Sequence, residues 1–485
     1  MRGRTGVLIC LLVVAAASLW TYEPRLHHDF PSMVDDWSAI EKAPEQLRGI
    51  LRLGNPEGTR YRPGFVMWNA LQWHTLGAPG DFFGPQLWGI ARWAVLVVGV
   101  TLLTVLLVGR PARWRDGRWL LVVGVPLVAI TAPSIAVDIA RFGPQEPLLL
   151  GCMALGAVLL VRALDRLLDG EREGPGMLLA VGSGLVLWAF GVLQKEPSIS
   201  VLLLAPFLWP TLREQRGRWA LLDGGRRRTV GLLAAGILLP FVPMVVRTTQ
   251  LALTGEPLYG DLSAGKSLST RLSDQLSQAG GVLHTELPTV VFVASIVLLA
   301  AVAFRVGIDW LSVGLLVVAV GFIGFAAHAG VVASRYYIPA IALAALVLAR
   351  SAVRLGPVVV VVVGVALIGW GLVTAHNARD LVWAWVDSEQ AQERLVREAE
   401  ARTAGGCPVA VVGLNAEFVE ALPVLMPLAR ERPRGCAAGE RFVALLDEGG
   451  PGTVTPPDDP VLAACRPGPE PVWIESVGRL LRCTS

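Results

Sequence analysis

Asp35 and Asp36 stand side by side in "HHDFPSMVDDWSAI", just past the first apolar segment. Each carboxylate raises the proton affinity of its neighbour. Such a pair suits two tasks: taking a proton from a hydroxyl, or holding a cation. A third task is structural, because Asp is a good N-cap and a helix could start near Ser38. The other chemistry-bearing residues also sit between apolar segments. "RFGPQEP" carries Arg141 and Glu146, "LQKEPS" carries Lys195 and Glu196, and "SRYYIP" carries Arg335, Tyr336 and Tyr337. His28 precedes the acid pair, and Tyr259 lies in the stretch from Thr254 to Leu287.

The elements that hold these residues cross a membrane. Hydrophobic residues make up 53% of the 485 and charged residues 17%, against about a quarter charged in a soluble globular protein. Mean hydropathy is +0.56. The apolar residues clump into runs of about 15–20, long enough to cross or nearly cross a hydrocarbon core. About eleven spans are expected: Gly6–Tyr22, Leu87–Val108, Trp119–Ile135, Pro147–Val161, Met177–Leu193, Ser198–Trp209, Val230–Val246, Pro288–Phe304, Leu311–Ala329, Gly330–Ala349 and Pro357–Ala375. A net charge of +3, with no basic patch interleaved with aromatics, excludes a nucleic-acid partner. Abundant Ala, Gly, Val and Arg, with three lysines only, fit a GC-rich bacterial genome.

Arginines set the orientation. They precede the first span and follow the second, fourth, sixth, eighth and tenth. The N-terminus is therefore expected in the cytoplasm and the C-terminus outside, in a multi-pass protein of the bacterial plasma membrane. The start could also be read as a cleaved leader ending near "AAAS", but Trp20 and Tyr22 fit an interfacial belt better. The first outer loop is long, 21–86, and "YRPGFVMWNALQWHTLG" within it reads as an amphipathic helix with Trp68 and Trp73 in the headgroup layer. The titratable groups named above all fall on the outer side, where they mark a functional cavity or form local pairs such as Arg141–Glu146 and Lys195–Glu196.

Residues 376–485 are polar enough for a small extracytoplasmic α/β domain beside the membrane domain of 1–375. A helix is expected through "DSEQAQERLVREAEA", strands in "CPVAVVG", "RFVALLD" and "EPVWIES", and a helix through "AEFVEALPVLMPLA". Cys407, Cys436, Cys465 and Cys483 suggest two disulfides, with three pairings open. No Walker A, GxSxG, HExxH or dinucleotide fingerprint stands in a suitable context.

A cytoplasmic N-terminus, one span, then a long outer loop with an acid pair resembles the GT-C superfamily of integral membrane glycosyltransferases. "DDW", "RYRPGFVMWNAL", "RFGPQEP", "KEPS" and "SRYYIP" look like outer-loop segments of bacterial members. The resemblance covers roughly residues 1–375. It implies a GT-C-like α-helical fold and a polyprenyl-phosphate-linked sugar donor. The acceptor hydroxyl could belong to a glycan, a lipid or a protein. By position, Asp35 or Asp36 would be the base of an inverting transfer. Arg335, Lys195 and then Arg141 would hold the lipid phosphate, and His28, Glu146, Glu196, Tyr259, Tyr336 and Tyr337 would line the substrate pocket. Some members bind a divalent cation through such acids, so metal stays open. The rival readings are a flippase for a lipid-linked glycan and a non-catalytic membrane scaffold.

The arginine pattern has a direct test. Reporter fusions after Arg115, Ala220 and Ala352 are expected to read as cytoplasmic, and a fusion after Glu400 as exterior. A cytoplasmic signal at Glu400 would overturn the outer-site assignment.

Overall fold

The computed structural model describes residues 3–26, 62–75, 83–111, 116–133, 145–170, 174–214, 223–254, 288–329, 337–413, 440–446, 464–467, 472–475 and 478–484, with a few isolated positions between. Helices dominate, and each of the eleven apolar segments falls on one. They are α1 (Gly3–Leu26), α2 (Pro63–Thr75), α3 (Phe83–Val108), α4 (Arg118–Ile130), α5 (Glu146–Leu168) and α6 (Pro175–Val192). A 3-10 helix (Glu196–Leu204) and α7 (Ala205–Glu214) follow, then α8 (Gly224–Leu238), α9 (Phe241–Thr254), α10 (Pro288–Arg305), α11 (Trp310–Ala329), α12 (Ile338–Leu355) and α13 (Pro357–Ala404). Among the described residues, seven helical segments are long and apolar enough to cross a membrane, and three shorter apolar helices accompany them.

Three departures from the expected spans have local causes. Ser198–Trp209 is not one α-helix but a 3-10 helix leading into α7. Pro206 lacks the N–H that an α-helix would use there. The seventh span divides into α8 and α9 at Leu239 and Pro240. The tenth runs past Ala349 to Leu355, because Arg350 and Arg354 turn back to a buried carboxylate. Arg350 Nε donates to Asp309 Oδ2 at 2.8 Å, and Arg354 Nε stands 3.6 Å from the same oxygen. Asp309 lies in the connection before α11. Burial would raise its carboxyl pKa, but Arg350, Ser312 and Arg354 hold it below the usual range.

The bundle packs through small residues, as membrane helices must when lipid offers no hydrophobic drive. On α3 and α5, Gly99 faces Gly151: a Cβ on Gly99 would stand 2.5 Å from the Gly151 carbonyl oxygen. On α4 and α13, a Cβ on Gly364 would stand 2.4 Å from Leu120 Cβ. Thr131 Oγ1 meets Thr374 Oγ1 at 2.9 Å and donates to Gly371 O at 3.0 Å.

α13 carries the chain out of the membrane in one piece. Its 48 residues reach about 72 Å at 1.5 Å per residue, more than twice a hydrocarbon core. The helix expected in "DSEQAQERLVREAEA" is thus the second half of α13, which crosses the boundary expected at 375/376. It also holds the outer end of α1. Arg25 pairs with buried Glu389, which accepts from Trp385 Nε1 at 2.8 Å. Arg379 lies 4.9 Å from the Trp20 ring and 2.5 Å from Glu23.

Beyond α13 stands a small sheet: β1 (Val409–Gly413), β2 (Glu440–Leu446), β3 (Arg466–Pro467), β4 (Trp473–Glu475) and β5 (Gly478–Thr484). β1 pairs with β2 in parallel, and β5 runs antiparallel to β2, β3 and β4. The three expected strands are present, while β5, in "VGRLLRCTS", was not expected. Phe442 to Leu445 of β2 are buried on both faces, and Arg402 of α13 covers the Phe442 ring at 5.0 Å. Cys465 and Cys483 form a disulfide across 18 residues, a loop that contributes about 3 kcal/mol. Cys407 is also disulfide-bonded, with a partner outside the described residues. Cys10 and Cys152 are free and buried. The helix expected at "AEFVEALPVLMPLA" lies outside the described residues as well.

The glycine contacts predict a contrast between two helical positions. Gly99→Ala pushes a methyl into backbone and is expected to lower stability by about 1–3 kcal/mol. Gly182→Ala in α6, whose Cβ would meet nothing within 4 Å, should be neutral or gain up to about 1 kcal/mol of helix propensity. Thermal unfolding in detergent separates the two, and equal midpoints would refute the packing argument.

Candidate functional site

The described polar residues converge where α2, the start of α5 and the α6-to-3-10 corner meet. "QEP" and "KEP" shape two of these parts. In both, a Glu opens a helical segment and Pro follows, with its fixed φ suited to a first turn. Each carboxylate then sits at a helix N-terminus, where the backbone dipole favours it. α2 is fastened to the same corner through Gly64, whose N–H donates to Leu193 O at 3.0 Å. A Cβ there would stand 2.8 Å from Phe190 O, so a side chain would prise α2 away. Trp68 of α2 packs edge-on against Trp88 at 4.7 Å and lies 6.3 Å from Phe190. Its ring is thus held between helices. Trp73's side chain lies outside the described residues.

Two ion pairs cross at this corner. Lys195 Nζ pairs with Glu146 Oε1, and Arg62 Nε donates to Glu196 Oε1 and Oε2 at 2.8 and 2.9 Å. Lys195 is 3% exposed, Glu146 2% and Glu196 4%. Lys195 and Glu196, expected as a local pair, each form an ion pair with another element, and Arg141, the partner expected for Glu146, lies outside the described residues. Lys195 has an extended backbone, φ −159° and ψ 143°, which sends successive side chains to opposite sides. Lys195 therefore reaches α5, and Glu196 reaches the start of α2. Glu146 Oε2 also accepts from Gln145 N at 3.0 Å. Burial would raise the Glu196 carboxyl pKa. The charge and hydrogen bond of Arg62, helped by Lys195, outweigh that and hold it below the usual range.

Among the described residues, both amide atoms of Gln194 and of Asn69, and Gln145 Oε1, are enclosed without a hydrogen bond. An unsatisfied buried amide costs about 1–3 kcal/mol. Arg92, inside a span, is fully buried and donates to Ile139 O at 3.5 Å.

Among the expected site residues, the structure brings together Lys195, Glu146 and Glu196. Tyr337 is buried in the main core cluster with residues of α3, α4 and α12. Asp35, Asp36, His28, Arg141, Tyr259, Arg335 and Tyr336 lie outside the described residues. Sequence reasoning missed Arg62, Asn69 and Gln194 as site residues. The signal for Arg62 was present in "YRPGF", where a cation directly precedes a helix-starting Pro. Among the described residues, no three His, Cys, Asp or Glu side chains gather to hold a metal ion.

The crossed pairs predict a non-additive pattern. Lys195→Met leaves Glu146 buried without its counter-charge and is expected to lose about 3–5 kcal/mol of stability. Adding Glu146→Leu should recover much of that loss, since an apolar pair replaces an ionic one. Additive losses in thermal unfolding would show that the two side chains are not coupled. For Glu196 the sign follows its lowered pKa. Its stabilisation is complete above the ordinary Glu range, about 4.3, and is lost only as pH falls further, through the lowered value.

No protein-family model and no curated protein matches the chain. Among solved structures it is similar to ArnT from Cupriavidus metallidurans bound to undecaprenyl phosphate. The TM-score is 0.50 at 12% identity, over 97% of this chain and 97% of that one. Apo ArnT from the same organism gives 0.49 at 13% identity, over 99% and 98%. ArnT is a GT-C glycosyltransferase. At such identity the likeness is one of fold alone: an ArnT-like, multi-pass helical bundle with a small C-terminal sheet.

Proposed function

We propose that this chain is a membrane glycosyltransferase. It moves a sugar from a polyprenyl-phosphate donor to an acceptor hydroxyl at the outer face of a bacterial plasma membrane. The observation that carries this reading is the fold likeness, end to end, to a protein solved with undecaprenyl phosphate. The gathering of buried charges at one corner of the bundle supports it.

In the proposed reaction the acceptor oxygen attacks the anomeric carbon from the face opposite the phosphate. Asp35 or Asp36 takes the hydroxyl proton as the new C–O bond forms. The bond from anomeric carbon to phosphate oxygen breaks, and the electron pair leaves on the polyprenyl phosphate. One displacement inverts the anomeric configuration. A neighbouring carboxylate raises the base's proton affinity. Arg335 and Arg141 would neutralise the departing phosphate. Lys195, already balanced by Glu146, would orient that carboxylate and reach the phosphate only by sharing its donors. Glu196 would keep Arg62 at the pocket wall, and Tyr259, Tyr336, Tyr337 and His28 would complete the pocket. The aminosugar, pentose or hexose identity of the donor is not assigned, nor is a cation.

The test is Asp35→Asn and Asp36→Asn, each preserving side-chain size. One of the two is expected to accumulate normally and lose about 10²–10⁴ in transfer rate, read as label moving from a polyprenyl-phosphate sugar to endogenous acceptors in membranes. Normal transfer by both variants at normal protein levels would remove the base assignment and with it the chemical support for the reading.

A further inference from the structure

At the end of the bundle away from the charged corner, two arginines face each other without an acid between them. Others at this end are matched: Asp309 takes Arg350 and Arg354, and Asp116 stands 3.6 Å from Arg118. Arg110 and Arg162 have no carboxylate partner among the described residues. Helix packing brings them together. Gly99 of α3 and Gly151 of α5 meet backbone to backbone, and Arg110 and Arg162 each stand eleven residues further along the chain. Eleven residues make about three helical turns, so Arg162 lies on the face that Gly151 turns toward α3. Gly109, with φ 90°, ends α3 and leads into Arg110, which is exposed. The charge of Arg110 bears on Arg162, as does that of Arg166 one turn further on.

Depth gives this pairing its meaning. Arg162 is sixteen residues from Glu146 along α5, about 24 Å, within the span of a hydrocarbon core of about 30 Å. It is half-buried, and its neighbour Val161 is 39% exposed. A cation at such depth is costly unless an anion meets it, and like charges one turn or one helix away add to the cost. Guanidinium groups take phosphate oxygens in pairs.

We propose that Arg110 and Arg162 together hold the phosphate of an anionic phospholipid from the leaflet at this end of the bundle. The arginine pattern makes that the cytoplasmic leaflet. Two features select this occupant. Arg162 stands inside an apolar span, so the anion that reaches it arrives with acyl chains, which would run along α5 past Val161. The site already holds two cations, so a zwitterionic headgroup would add a third, whereas a headgroup of net negative charge relieves the repulsion. The lipid would act as a counter-charge that lets α3 and α5 end side by side.

The experiment is native mass spectrometry of the full chain in mild detergent, titrated with phosphatidylglycerol or with phosphatidylcholine of the same acyl chains. The wild type is expected to bind one phosphatidylglycerol about 25-fold more tightly than phosphatidylcholine, with Arg110→Gln and Arg162→Gln each losing about fivefold. Arg305→Gln, at the exposed end of α10, should lose nothing. Thermal unfolding adds a second readout. Without lipid, Arg162→Gln should unfold at the same temperature as wild type or higher, since one of two repelling cations is gone. With phosphatidylglycerol, only the wild type should gain. Equal binding of the two lipids, an equal loss in Arg305→Gln, displacement of the lipid by millimolar inorganic phosphate, a retained polyprenyl phosphate in its place, or a lower lipid-free midpoint in Arg162→Gln would each overturn the proposal. None of these outcomes depends on sugar transfer.

Discussion

A charge taken out of water must find its opposite, and one corner of this bundle is organised around that requirement. Lys195 and Glu196 are neighbours in the chain, yet each is neutralised by a different element: Glu146 of α5 and Arg62 at the start of α2. The two pairs therefore tie three separate parts of the chain to one point. Removing any one charge strands its partner in a low-dielectric interior. The described residues on either side of the segment 27–61 are anchored: Arg62, Gly64 and Trp68 after it, and Arg25 and Glu23 against α13 before it. The acid pair lies between these two anchors in sequence.

Elsewhere the bundle relies on close approach. Gly99 against Gly151 and Gly364 against Leu120 bring backbones together where no side chain intervenes. Dispersion contacts of that kind are small singly and large in sum. They leave little freedom for helices to slide, so the polar corner is mounted on a stiff support. The Asp309 pair with Arg350 does the same at the opposite end, locking the connection before α11 to α12.

Much of the architecture was legible in the sequence because membrane spans announce themselves by length and hydropathy. The eleven apolar segments fall on helical elements, the sixth and seventh divided in two and the start of the tenth outside the described residues, and "CPVAVVG" and "RFVALLD" became paired strands. β5 was missed because Arg479 and Arg482 break its apolar run, and its place depends on pairing with β2. The site was legible only in part. "QEP" and "KEP" marked the carboxylates that meet at the corner, but local charge matching did not anticipate Arg62 as the partner of Glu196. The extended turn at Lys195 is a property of the backbone, and Arg62 lies more than a hundred residues away. The break in the sixth span could have been read from Pro206.

The continuity of α13 makes the sheet domain a fixed attachment rather than a tethered one. Height and compass bearing above the membrane are set together by the helix, at about 1.5 Å and 100° per residue. One residue added between Ala375 and Val386 would swing the domain by more than a quarter turn while barely lifting it. Seven would nearly restore its bearing at about 10 Å greater height. The outer half of this helix therefore behaves as a threaded shaft, and its length is a register between the membrane bundle and the domain it carries.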